Sequence, residues 1–410
     1  MIAGSASGTH VPAPEFWRTF HATTWERTTA VLPRPLPQPL CTPAELFETV
    51  VAASDRVRAG DESVRLFLYV EQAQLVADVG RHLPTRDDAS SAAWAERVTR
   101  MLGGRTFGLV LEHAQAYHPA LWPRLRDALG GLIAHVGLPT ESKATVFLGN
   151  YPSTPFGLHR GNSGTLSFVI EGPKRVRTWP DGFMRDRTQY GGSIDYHALD
   201  ADATVLDGEA GDVLYWPSDA WHIGEAVDGR LSSAISVHLF MGRDAEDELL
   251  ARARPLLRRR LGALPADAGD AALIAALADT AASPSLAREL RIARLRHASA
   301  LGFTRVPDAA AVRSLGDADH VRTSPVAPLR WTDVDAERLA VAAGGHAFGL
   351  TRSALTLALL ERLGSGASLR VGDLVAEYSG VSDHVETTRD AVRAVLERLV
   401  SLRGLEIAPA

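Results

Sequence analysis

Two histidines, a lysine and a glycine carry the chemistry that can be read from spacing. His159 opens the run His159-Arg160-Gly161-Asn162, just ahead of the β-rich stretch TLSFVIEG, and His222 closes the segment GDVLYWPSDAWH. Imidazoles at strand ends far apart in the chain can converge on one divalent ion. A mononuclear iron centre takes two of them, usually with one carboxylate on the same face, and leaves its other positions open. Lys174 follows His159 by fifteen residues, in Gly172-Pro173-Lys174-Arg175. Of 43 basic residues only Lys143 and Lys174 are lysine, so a lysine here points to a need for a compact ammonium. Buried in a barrel, such a cation requires an anionic partner. Two residues beyond His159 stands Gly161, which has no side chain to offer a metal.

The elements that must position these residues are β-strands. Residues 143–242 break into the short runs ATVFLGNY, TLSFVIEG, RVRTWP, TVLDGEAGDVLYWP and LSSAISVHLFMG, divided by Gly, Pro, Asp and Asn. Regular strands with regular turn signals predict a barrel or jelly roll. Upstream, PEFWRTFHATTWERTTAVL predicts an aromatic-rich helix and a short strand, and PRPLPQPL an extended connector. CTPAELFETVVAAS, ASSAAWAERVTRML and LWPRLRDALGGLIAHVGL read as helices, the first with Thr42 as cap before Pro43. RLFLYVEQ (65–72) and TFGLVLEHA (106–114) read as buried strands. After Gly242 the apolar spacing turns helical, with no further strand expected before about residue 329. The last part predicts a hairpin, RLAVAAGGHAFGLT, and the helices SALTLALLERL, RVGDLVAEYSG and ETTRDAVRAVLERLVSLRG, an order that resembles a winged helix.

Residues 155–242 resemble the JmjC-type cupin oxygenases, among them the asparaginyl hydroxylase of the hypoxia pathway and the ribosomal oxygenases. GDVLYWPSDAWH fits that family's Gly-Asp-x-Leu-Tyr-hydrophobic-Pro-x-x-x-Trp-His segment. FVIEGPKRVRTW fits its strand, turn and Lys-Arg segment, and the interval from His159 to Lys174 is the family's own. The entry stretch FWRTFHATTWERTTAVL is similar to that of the ribosomal oxygenases, in which a helical dimerisation segment and a winged helix also follow the barrel. The resemblance implies an α+β chain. Residues 1–244 form a double-stranded β-helix (jelly-roll, cupin) domain with an N-terminal extension, 245–328 a helical dimerisation linker, and 329–410 a winged-helix-like domain. It implies Fe(II) held by His159 and His222 as the catalytic centre, and 2-oxoglutarate with its far carboxylate on Lys174. Thr165 and His238 match positions of polar contacts to that cosubstrate. Asn150 and Tyr151 end the preceding strand, and alternation lets only one of the two face the pocket. The implied activity is hydroxylation or a related oxidation of a C–H bond in a protein or peptide side chain, by a homodimer.

Gly161 departs from the pattern, which puts Asp or Glu there. Iron could be held by the two histidines with water, or with a ligand from elsewhere, Asn162, Glu225 and His238 being candidates. The vacancy could instead admit chloride, since iron- and 2-oxoglutarate-dependent halogenases are known for a His-x-Gly motif. Or catalysis is lost, leaving a dimeric peptide-binding scaffold. The joint presence of both histidines, the lysine and the barrel turns favours a working enzyme. Loss of an anionic ligand leaves extra positive charge on the metal, which some anion should balance.

The rest of the chain narrows the classes. With 410 residues and a net charge of −6, it predicts two or three domains and offers no general attraction for nucleic acid or an anionic membrane. From Arg330 on, nine arginines stand against eleven carboxylates, not the basic footprint of a DNA reader. A single cysteine, Cys41, excludes an intrachain disulfide. No apolar run approaches the ~20 residues of a membrane span, and the first residues lack a secretory signal's pattern, so a cytoplasmic protein is expected. His113 and His118 lie five apart, which does not share a strand face, and read as structural.

Overall fold

Gly211 and Asp212 show how the strand motifs work. Gly211 takes φ +96°, and the Asp212 carboxylate accepts from the Glu209 and Arg34 amides, so the chain reverses and enters a buried strand. The computed structural model describes residues 10–184, 195–242, 245–265, 267–324 and 329–408. They fall into two units, Met1–Met241 with Arg305–Pro307, and Gly242–Thr304 with Asp308–Ala410.

In the first unit the strands are β1 (Ala30–Leu32), β2 (Leu66–Val70), β3 (Ala73–Gln74), β4 (Phe107–Leu111), β5 (Glu141–Gly149), β6 (His159–Arg160), β7 (Gly164–Glu171), β8 (Lys174–Trp179), β9 (Thr204–Gly208), β10 (Val213–Trp216), β11 (Trp221–Ala226) and β12 (Ser232–Phe240). Eight of them form one antiparallel sheet, ordered β1-β10-β7-β12-β5-β4-β2-β3; the others form a second, ordered β6-β11-β8-β9. β12 is the keystone of the large sheet. It pairs along its whole length with β5, from Ser232 opposite Gly149 to Phe240 opposite Glu141, and on its other side with β7. Side chains of both sheets line one cavity.

The helices of this unit are α1 (Pro14–Thr23), α2 (Pro43–Arg58), α3 (Val79–His82), α4 (Ser91–Met101) and α5 (Leu121–Val136). α2 starts with a full capping box, Thr42 to Glu45, with Pro43 in the first turn. Arg124 of α5 binds both oxygens of Glu45, at 2.9 and 2.8 Å, and holds that carboxyl at about 2. α1 buries Trp17, whose indole donates to the Ala128 carbonyl of α5 at 2.9 Å.

The second unit begins with α6 (Ala245–Leu261), α7 (Asp270–Ala281) and α8 (Pro284–Ser299). Then come β13 (His320–Thr323), β14 (Arg330–Asp333), β15 (Arg338–Ala343), β16 (His346–Thr351), α9 (Ala354–Gly364), β17 (Leu369–Arg370), α10 (Val371–Glu377), β18 (Gly380–Ser382), β19 (Val385–Thr387), α11 (Arg389–Ser401) and β20 (Leu405–Ala408). Its core joins Val321, Val341, Leu360, Leu363, Val375 and Leu396. β13 corrects the expectation of no strand before residue 329. It is four residues long, polar at alternate positions, and paired with β17 and the last strand, β20. Such distant pairing leaves no local signal. Among the described residues no helix is long and apolar enough to cross a membrane.

Candidate metal and anion site

β6 is only two residues long, yet it sets the centre. It pairs with β11 so that His159 lies directly opposite His222. Opposed residues of an antiparallel pair project from the same face, and the two ring centroids stand 4.2 Å apart. Each Nδ1 meets a backbone carbonyl two residues upstream, Gly157 at 2.9 Å and Ala220 at 3.0 Å. A carbonyl can only accept, so each Nδ1 carries the proton and each Nε2 keeps its lone pair. Burial pushes His222 down to about 3 and lowers His159 too, so both rings are neutral near pH 7, the form that ligates. Trp216 packs 5.0 Å from the His222 ring and Phe156 5.7 Å from the His159 ring.

Lys174 opens β8, the other neighbour of β11, and is 3% exposed. Its ammonium donates to the Tyr151 hydroxyl at 2.6 Å and lies 4.6 Å from the Tyr151 ring centroid and 5.7 Å from that of Phe147. The side chain crosses Gly224, where a Cβ would come within 3.3 Å of Nζ and 3.2 Å of Thr154. Gly224 is two residues along β11 from His222, a rise of about 6.6 Å. The ammonium and the imidazole pair therefore share one cavity, a strand pleat apart. Among the described residues no carboxylate pairs with Lys174, and burial pushes it down to about 7. Glu225, whose charge works weakly against that shift, is bound at 2.7 Å to Arg177. Alternation along β11 turns it away from His222, so it does not complete the metal site.

The cavity holds about 210 Å³. Of the other residues singled out in the sequence, His238 lines it, and Thr165 stands behind His238 with Oγ1 3.1 Å from Nδ1. Burial beside Lys143 and His159 pushes His238 down to about 3. Tyr151 reaches the site only through Lys174. Asn150 does not reach it: its carboxamide accepts from the Phe107 amide at 2.9 Å, fixing the start of β4. Asn162 is exposed. At Gly161 a Cβ would lie 3.9 Å from His222 Cε1, Ser163 N and Ser163 Oγ, and φ is not in the left-handed region. Neither packing nor backbone demands glycine there. Among the described residues no group of three or more His, Cys, Asp or Glu side chains is placed to hold a metal. Two neutral imidazoles thus fit an ion that draws its remaining ligands from small molecules. Sequence reading missed Thr145, Phe147, Thr154, Ser167 and Ser236, all lining the cavity. For Thr145, Ser167 and Ser236 the one signal was a polar residue inside an otherwise apolar strand; Phe147 is apolar and Thr154 lies in a loop, so neither carried one.

Solved structures are similar to the chain in overall fold. YcfD, a ribosomal oxygenase from Escherichia coli, matches with a TM-score of 0.51 over 96% of this chain and 98% of that chain, at 14% identity. The chain has the fold of a ribosomal oxygenase. The structure of YcfD in complex with cobalt and 2-oxoglutarate matches over the same shares at a TM-score of 0.49 and 15% identity. The sequence matches no protein-family model and no curated protein. The likeness first read from residues 155–242 therefore holds for the fold along nearly the whole length.

Proposed function

We propose that the protein is an Fe(II)- and 2-oxoglutarate-dependent oxygenase that oxidises a C–H bond in a protein or peptide side chain. One observation carries this: two neutral, carbonyl-anchored imidazoles 4.2 Å apart share a cavity with a buried ammonium that has no anionic partner among the described residues. His159 and His222 would hold the ion through Nε2, and Lys174, backed by the Tyr151 hydroxyl, would hold the far carboxylate of 2-oxoglutarate. When bound, the ion and keto acid supply the oxidant. The chain's own contribution is to orient: the Gly157 and Ala220 carbonyls fix the ring tautomers, and Val110, Phe147, Val176 and Trp216 keep water from the reacting atoms. A protein or peptide substrate is inferred from the shared ribosomal-oxygenase fold. On the same ground the facing sheets are read as a jelly roll and residues 329–408 as a winged helix. Leu249, Leu250, Leu273, Ile274 and Leu277, all more than 40% exposed on α6 and α7, are read as the dimer surface.

Halogenation is a second reading, favoured by the open space at Gly161 beside His222. Incubation with Fe(II), 2-oxoglutarate and oxygen, with and without cell lysate, tests both. Succinate formation with a product heavier by one oxygen, even in high bromide, supports oxygenation; a bromine-containing product supports halogenation. No turnover, with no binding of Mn(II) or 2-oxoglutarate by calorimetry, leaves a non-catalytic scaffold.

A further inference from the structure

Lys143 and Lys174, the only lysines of the chain, line the same cavity. The strand register separates their tasks. Lys143 stands opposite His238, His238 opposite Thr165, and Thr165 opposite Trp216, whose ring packs 5.0 Å from that of His222. Lys143 therefore belongs to the row that runs toward the imidazole pair. Phe147, whose ring lies 5.7 Å from the Lys174 ammonium, is four residues further along β5, a rise of about 13 Å. The two ammonium groups serve different anions. Around Lys143 the cavity opens: the Lys143 and Glu112 side chains are 24% and 27% exposed. Glu112 holds two cations loosely, with Oε1 3.7 Å from Lys143 Nζ and Oε2 3.5 Å from Arg65 Nε. Among the described residues the Lys143 ammonium makes no hydrogen bond; its other neighbour is the Phe240 ring, 5.8 Å away. Glu141, the next residue on that face of β5, does not line the cavity. Burial, and then the charges of Arg305, Lys143 and Arg65, push the adjacent His113 down to about 4, with Glu112 opposing. One carboxylate shared between two cations leaves this wall positive, and Lys143 is the cation inside the cavity with protons to give.

We propose that Lys143 determines substrate specificity by receiving a carboxylate, so that the oxidised C–H bond belongs to an aspartyl or glutamyl side chain. This rests on the oxygenase assignment made above and adds to it the class of side chain. The entering carboxylate exchanges the loose Glu112 contact for a charge-assisted hydrogen bond from Lys143, and its methylene then lies along the row that leads to the imidazole pair. One atom of O2 enters the C–H bond and the other leaves in succinate as 2-oxoglutarate loses CO2; Lys143 supplies position alone. A basic side chain would have to compete with Arg65 and Lys143 for Glu112 and meet their repulsion.

The test incubates the full-length protein with Fe(II), 2-oxoglutarate, oxygen and cell lysate, and then maps by mass spectrometry of peptides which residue is heavier by one oxygen. Oxidation of aspartate or glutamate is expected, and which of the two is found gives the length that fits. Oxidation of a basic or uncharged residue, or of none while Mn(II) and 2-oxoglutarate still bind by calorimetry, overturns the inference and leaves the cosubstrate site standing. If the parent binds neither, the oxygenase assignment fails and this inference with it. With a peptide spanning the mapped residue, Lys143→Met should raise KM roughly tenfold. Glu112→Gln should lower KM severalfold, because it removes the competing carboxylate. An unchanged KM in Lys143→Met, or an equal loss of 2-oxoglutarate affinity in that variant, overturns the inference. Should Lys143→Met not fold by thermal unfolding, Glu112→Gln decides, and a raised KM there overturns it.

Discussion

At one end of the cavity a charge is in excess; at the other a ligand is missing. Lys174 is a buried amine whose hydrogen bond goes to a phenol, and below about pH 7, where it is protonated, it carries a positive charge that a bound anion would match. His159 and His222 are neutral and well oriented, but the residue between them and Ser163 that could add a carboxylate is Gly161. The lysine end selects its ligand by what is present. The histidine end leaves its ligand set to be finished by whatever enters. On the proposed function the two ends would be coupled: a keto-diacid anchored at Lys174 would supply the oxygens that the metal lacks, so each ligand would raise the other's affinity by the same factor.

The sharpest break in the comparison is Lys174→Met. Losing the buried partner of a carboxylate should weaken 2-oxoglutarate by roughly a hundredfold or more. The same change should raise the melting temperature, because it removes an uncompensated buried cation. Lys174 in the fold sits at about 7 against an ordinary 10.5, so the unfolded chain binds the extra proton across that interval. The stabilising effect is thus full below about pH 7 and shrinks as pH approaches 10.5. A variant that loses both affinity and melting temperature would show that Lys174 is structural.

The next test acts at the other end. His222→Ala leaves one imidazole, and Mn(II) or Co(II) affinity should fall by roughly a hundredfold, while metal-free protein still unfolds in one cooperative transition. Gly161→Asp should move affinity the opposite way. Its Cβ meets nothing closer than 3.9 Å and its backbone is unstrained, so a carboxylate should tighten metal binding roughly tenfold. It should also reduce the dependence of metal binding on 2-oxoglutarate, since the chain then supplies what the cosubstrate did. Metal affinity unchanged by Gly161→Asp would mean that another ligand already fills the position.

The two ends also differ in how far the sequence reveals them. His222 and Lys174 sit in long local patterns, GDVLYWPSDAWH and FVIEGPKRVRTW, where turn glycines, strand and functional residue are contiguous. Their convergence follows from two adjacent pairings, β6 with β11 and β11 with β8. The hydroxyls that line the cavity have no such pattern. Thr145, Ser167 and Ser236 come from three strands and meet only because the register of β12 against β5 and β7 puts them opposite one another. Asn150 and Tyr151 show the same limit at shorter range. Alternation says that one faces the site but not which, and the choice is made by the Asn150 bond to the Phe107 amide. Gly224 gives a further case: it looks like any strand glycine until the Lys174 side chain is seen crossing it. In the second unit β13 stayed hidden for the same reason, its partners lying far along the chain.

The pH dependence of cosubstrate affinity separates the ends most cleanly. His222, pushed down to about 3, is neutral from pH 6 upward, and burial lowers His159 as well, so both imidazoles are neutral above pH 7. Lys174 titrates there. Below about pH 7 it is an ammonium in the free protein as well as in the complex, and affinity for 2-oxoglutarate should be flat. Above that, binding must first draw a proton onto the amine, since the carboxylate raises its pKa. Affinity should then fall by up to tenfold per pH unit, no more than tenfold between pH 7 and pH 8. Titrations at pH 8 in buffers of different ionisation enthalpy should detect proton uptake on binding, while Lys174→Met should show none. An affinity that stays level from pH 6 to pH 9 would mean that the ammonium is already paired in the free protein. The excess charge from which the whole contrast starts would then not exist.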